Sequence, residues 1–255
     1  MCDNHRVVPL DRLSAAVAVV TLVTLAGPAL AGRLVPAFPV EVPSAVRARL
    51  SPVVDRASLA TRIQGESFVA RRDVFEYLVE HPEFATHVTQ ALRVARYRIW
   101  RTPTGLMLDD GWGTVGALEV VYGAPGVRVM YAKGEFQQTV LPNIRGQAVV
   151  TIDWTVTPAP DGKNLIAPTV GAFVKLDNPV LSAASVLAGS IAAAKAEQEA
   201  LRLVRVFQKT TRAIDDNPSA LLEALRHRPG TPRRELEEFG RLLSVPAASV
   251  APAAR

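Results

Sequence analysis

The chain has 255 residues, 49% hydrophobic and 21% charged, enough apolar material for a packed core and too much for a globally disordered chain. Its net charge is +5, but the arginines are scattered rather than striped with aromatics, which argues against a nucleic-acid surface. The single cysteine, Cys2, excludes an intrachain disulfide.

The elements follow in chain order. Arg6 and Arg12 precede an apolar run from Leu13 to Ala26, Gly27-Pro28 breaks the run, and Ala29-Leu30-Ala31 follows. A basic segment, an apolar segment and an A-x-A site predict a secretory signal over 1–31, cut before Gly32. A membrane-spanning helix needs about 20 continuous apolar residues, and Gly27-Pro28 interrupts too early. The cut removes Cys2, leaving no thiol nucleophile or thiolate ligand. Export without disulfides suits a bacterial periplasm. Residues 32–60 read as a lead-in broken by Pro36, Pro39, Pro43 and Pro52, with only Ser44 to Leu50 helical.

The body spans 61–214. Arg62 to Ala70 reads as a first strand. Asp73 is the expected N-cap of a helix carrying Val74, Phe75, Leu78 and Val79, ended by His81-Pro82, and a second helical segment runs through Phe84, Val88 and Leu92. Six segments of period two follow, around 96–99, 106–109, 117–122, 127–131, 148–156 and 169–176. Turn chemistry separates several of them: Pro103-Thr104-Gly105, Gly123-Ala124-Pro125-Gly126, Asn143-Ile144-Arg145-Gly146 and Asp161-Gly162-Lys163-Asn164. No helical pattern intervenes, so the strands form an antiparallel meander.

Asn178-Pro179 then opens one long helix to about Ile214. Its first half, Pro179 to Ala194, carries no charge and is expected deep against the sheet, whereas the charged second half is expected to emerge into solvent. The tail, 215–255, holds helices after Asn217-Pro218 and Thr231-Pro232, with an Ala/Pro-rich end.

Strand, paired helices, antiparallel meander and one long C-terminal helix opened by Asn178-Pro179: over about Arg62 to Ile214 this order resembles the START-like superfamily, also called the SRPBCC or polyketide-cyclase and lipid-transport group. The resemblance implies an α+β helix-grip fold, a curved antiparallel sheet gripping the C-terminal helix. It also implies a cavity between sheet and helix for a lipid or other apolar small molecule. The lead-in, the helical tail and the export signal depart from the common pattern.

The residues expected to meet such a ligand are Tyr97, Leu118, Val120, Tyr122, Val129, Tyr131, Ile152 and Trp154 on the sheet and Leu187 and Ile191 on the helix. Tyr122, Tyr131 and Trp154 add polar groups that need partners when buried. Glu119, Glu135 and Asp153 alternate outward; a slip of one residue would turn them inward as general bases. Asp109-Asp110-Gly111 reads as a turn, and Trp112 beside it as a lip for a pocket or a membrane. His81 and His87, six apart across Pro82, share no helix face, so no metal is expected. No G-x-S-x-G and no phosphate loop is present, so neither a catalytic set nor a cofactor is expected. The expected partners are an apolar small molecule and, transiently, an anionic membrane surface; the alternatives are an envelope interaction module without ligand, which binds a protein at the C-terminal helices, and a cyclase- or dehydratase-type enzyme using the same cavity.

Overall fold

The chain divides into two units, Met1–Leu34 and Val35–Arg255. The computed structural model describes residues 42–111, 113–137, 143–177 and 189–244, all in the second unit, with backbone alone over 189–196. The expected signal, Trp112, the Asn178-Pro179 helix start, Leu187 and the chain end lie outside the described residues.

The elements are α1 (Ser44–Val54), β1 (Leu59–Gln64), β2 (Phe68–Ala70), α2 (Arg72–Glu80), α3 (Pro82–Ala91), β3 (Arg98–Thr102), β4 (Gly105–Asp109), β5 (Thr114–Ala124), β6 (Val127–Phe136), β7 (Ile144–Pro158), β8 (Asn164–Leu176), α4 (Gly189–Asp216), α5 (Pro218–His227) and α6 (Arg233–Ser244). Strands run in the order β1-β8-β7-β6-β5-β4-β3, and β2 also pairs with β8. Every pairing is antiparallel. A meander whose last strand returns beside the first, followed by one long helix, is the helix-grip α+β architecture.

The expected single strand over 62–70 is two strands. Both pair with β8, on either side of Pro168, which has no N–H to give to a ladder. Gly65 sits in the gap, donating to the Pro168 carbonyl at 2.9 Å. A Cβ at Gly65 would lie 2.6 Å from Val204, so the gap lets α4 approach closely.

Helix α2 begins one residue before the expected cap, with Arg71 at the N-cap position. Asp73 lies in the first turn, where acid suits the helix dipole, and accepts from the Val74 amide at 2.9 Å. Arg71 pairs with Asp73 at 2.5 Å and also donates to the Leu242 carbonyl at 2.8 Å, closing the end of α6. Ile144 to Gly146, expected as a turn, belongs to β7 and pairs with Gly134 to Phe136 of β6.

Two features bend the sheet. Gly116, Gly134 and Gly146 stand directly opposite one another on β5, β6 and β7. A Cβ on Gly134 would meet the Val115 carbonyl at 2.4 Å and one on Gly116 the Lys133 carbonyl at 2.6 Å, so the backbones approach where no side chain fits. Between Val120 and Tyr122 the register of β5 shifts, a bulge that kinks the strand.

Both faces of the sheet are covered. On the concave face Phe68, Phe75, Val79, Ile152, Trp154 and Ile166 are buried together, with Met130, Val150, Leu203 and Phe207 packed against them. The described part of α4 lies over the β1/β8 side, where Ala200 and Val204 bury against Val170. On the opposite, outer face α1 buries Leu50 and Val53 against Val127, Val129, Val149 and Phe173. The lead-in is therefore structural: α1 is longer than expected, running through Pro52 to Val54.

The second half of α4 does not project into solvent. Ala200, Val204, Thr210, Thr211 and Ile214 are buried at helical spacing, while Arg202, Arg205 and Lys209 are exposed on the other side. Its charges mark one face of an amphipathic helix rather than an emerging segment. The tail packs as well. Asn217 caps α5 by accepting from the Ala220 amide at 3.0 Å. Leu221, Leu225 and Phe239 then bury against Val74, Leu78, Phe84, Val88 and Ile214, a second core between α2, α3, α4, α5 and α6. Tyr77 ties α6 down, donating to the Glu235 carbonyl at 2.9 Å and to Glu238 at 3.2 Å. Burial, then the Glu238 charge, holds its phenol above the usual range.

Candidate binding site

The α2–α3 corner overhangs the concave face. His81 closes α2, its Nδ1 2.9 Å from the Tyr77 carbonyl and its ring stacked on Tyr77 at 4.1 Å. Pro82 then starts α3, and Phe84 turns inward and is buried. Thr86 anchors α3 to the sheet, its hydroxyl accepting from the Ile99 amide at 3.0 Å.

Below the corner lies a cavity of about 340 Å³. Its floor is Leu106 of β4, directly opposite Leu118 of β5, with Val120 two residues on. Phe84 and Pro82 form the roof, and Pro232 and Glu235 at the start of α6 close one side. Val120 is 37% exposed. Alternation along β6 carries the same face from Met130, opposite Val120, to Phe136, which is 39% exposed.

Most of the charged residues at the cavity have ionic partners. Glu80 accepts from Arg128, whose buried guanidinium also donates to the carbonyls of Ala124 at 2.8 Å and Val127 at 2.9 Å. Gly123 makes room for it: a Cβ there would stand 3.1 Å from the guanidinium. Glu83 accepts from Arg101 at 3.1 Å. Glu119, at the cavity edge, turns its carboxylate to the outer face and takes two bonds from Arg49 of α1, at 2.9 and 2.6 Å, which hold its carboxyl below the usual range. The apolar floor is left as the surface a ligand would meet.

The structure brings only some of the expected ligand residues together. Leu118 and Val120 line the cavity. Ile152 and Trp154 face the same side but are sealed in the core, with Trp154 edge-on to Phe75 at 5.4 Å and its Nε1 donating to Glu76 at 3.2 Å. Tyr122, Val129 and Tyr131 are corrected to the outer face, where they pack with α1. For Tyr122 the bulge at Val121 is the reason, since one extra residue reverses the alternation. For Val129 and Tyr131 the reason is that β6 has apolar side chains on both faces, and its even residues face inward. Tyr131 finds its polar partner there, donating to Gln147 at 3.0 Å. Tyr97 lines a separate cavity between the α3–β3 connection and α4. Ile191 lies on α4 within the backbone-only stretch.

Glu119, Glu135 and Asp153 face outward, paired with Arg49, Arg145 and Arg62. Asp109 and Asp110 build the expected turn, accepting from the amides of Gly111 at 2.8 Å and Thr114 at 2.9 Å. Among the described residues no three His, Cys, Asp or Glu converge as metal ligands, and no described helix is long and apolar enough to cross a membrane. Phe84, Pro82, Pro232 and Glu235 were missing from the expected set. They meet the floor only through tertiary packing, and the one local signal was the His81-Pro82 break.

No family model matches this chain, and no curated protein matches it. Among solved structures, a hypothetical protein from Helicobacter pylori is similar at a TM-score of 0.35 and 7% identity, over 61% of this chain and 86% of that one. Ara h 8.0201 is similar at a TM-score of 0.33 and 13% identity, over 62% of this chain and 98% of that one. The architecture rests on the chain's own strand order and its long C-terminal helix.

Proposed function

We propose that this chain is an exported, periplasmic binding or carrier protein of START-like type, which holds a lipid or other apolar small molecule on the concave face of its sheet. The observation that carries the reading is the apolar floor of Leu106, Leu118 and Val120 beneath the α2–α3 corner, opening into a cavity of about 340 Å³. That volume is at the lower end of small-molecule sites, and an apolar floor with a polar rim is their usual composition. Val120 and Phe136, more than a third exposed on this face, are large side chains that a ligand would cover.

Native mass spectrometry of the full chain expressed with its leader and purified from a bacterial periplasm tests the proposal. The expected species starts at Gly32 and carries one apolar molecule per chain, released by organic extraction. A bare protein mass, unchanged after incubation with envelope lipid extract, would remove the ligand reading. A retained leader or an absence from the periplasm would remove the export reading independently.

A further inference from the structure

The cavity beside Tyr97 is lined by a different set of residues. It measures about 450 Å³ and is walled by Arg93 and Arg96 of the α3–β3 connection, Arg202 and Val206 of α4, and Gln90 and Tyr97. Three arginines from two elements are among its lining residues, with Val94 and Ala95 between Arg93 and Arg96, and no Asp or Glu is among its described lining residues. We propose that this cavity is an anion site that takes a phosphate group.

The local backbone presents the arginines. Helix α3 ends with the Val94 amide donating to the Thr89 carbonyl at 2.8 Å and the Arg93 amide to the Gln90 carbonyl at 3.1 Å. This closure puts Arg93 at φ 55°, a left-handed position that glycine ordinarily takes because a Cβ is strained there. A cation after a helix C-terminus suits the helix dipole. That accounts for Arg93 but not for Arg202, which comes from the middle of α4. Arg202 meets Glu199 at 3.1 Å with both side chains about half exposed, a surface pair of the weak kind. Gln90 is fixed at the wall: its Nε2 donates to the Tyr97 carbonyl at 3.2 Å and its Oε1 accepts from Arg228, which brings a fourth guanidinium behind the amide.

Guanidinium forks present paired N–H groups that match two oxygens of one phosphate. The +5 charge of the chain adds a long-range field that draws anions in. None of the residues of this cavity lines the apolar one, so the inference stands whether or not that cavity holds a ligand. A lipid phosphate headgroup and free phosphate share the chemistry the site recognises.

Isothermal titration of the full chain separates them, with inorganic phosphate, short-chain phosphatidic acid and short-chain phosphatidylcholine as probes. The expected result is saturable binding of phosphate or phosphatidic acid and weaker binding of the zwitterion. Binding of phosphatidic acid alone assigns a lipid headgroup, and equal binding of both anions assigns the phosphate itself. The triple variant Arg93→Gln/Arg96→Gln/Arg202→Gln should weaken binding about tenfold or more. Arg202→Glu, one exposed change on α4, should do so with the melting temperature unchanged. A control triple on the helical hairpin, Arg226→Gln/Arg233→Gln/Arg241→Gln, should bind as the parent does. No anion binding by the parent, or equal losses in both triples, would overturn the proposal.

Discussion

Phe75→Ala should destabilise the chain by about 3–5 kcal/mol, the range for emptying a fully buried phenylalanine site. Phe75 is 1% exposed. It meets Phe68 of β2 at 5.8 Å, Trp154 of β7 at 5.4 Å and Phe207 of α4 at 5.5 Å, each edge to face. Such ring pairs add about 0.5–1.5 kcal/mol each beyond burial, so the loss belongs in the upper half of the range. The ring joins sheet, α2 and α4, and α2 leads through His81 into Pro82 and Phe84 of α3, the roof of the cavity. Urea denaturation followed by circular dichroism would show the lowered midpoint. A midpoint within error of the parent would mean that these four elements are not held through one aromatic hub.

Leu50→Ala in α1 should cost about 2–5 kcal/mol. In a helix-grip domain the outer face of the sheet need not be covered, and the sequence offered the 32–60 segment only as a lead-in. Here Leu50 is 2% exposed, and the strand residues beneath it are as deeply buried: Val129 and Val149 at 0% and Phe173 at 1%. Removing residues 42–57 altogether would bare that surface as one apolar patch, which drives association. Size-exclusion chromatography should then show aggregates in place of a single species. Arg49→Ala should move the denaturation midpoint little, because the Arg49–Glu119 pair is half exposed on both sides. If Arg49→Ala matched Leu50→Ala, α1 would be held by charge rather than by packing.

The element order was legible because the local signals agree. Period two in β7 and β8 and Asn217-Pro218 before α5 each point one way. The face of β6 was not legible. Val127, Val129 and Tyr131 on one side compete with Met130 on the other, and both sides find cover because α1 adds a layer behind the sheet. The bulge at Val121 carries no glycine or proline to announce it. The candidate site was half legible: Leu118 and Val120 follow from alternation, but the roof depends on how α2, α3 and α6 pack together. The charges of α4 suggested a solvated end because spacing, rather than charge count, shows which face is buried: Ala200, Val204, Phe207, Thr211 and Ile214 repeat every three or four residues.

The central claim is that an apolar ligand lies on the concave face beneath the α2–α3 corner. Its most direct test is titration of the full chain with the apolar fluorophore N-phenyl-1-naphthylamine, comparing Val120→Arg with Val69→Arg. Both positions are exposed, at 37% and 49%, so neither change buries a charge. The account predicts that Val120→Arg weakens binding by about tenfold or more with melting unchanged, while Val69→Arg, outside the cavity, binds as the parent does. Equal binding by the parent and Val120→Arg would contradict it.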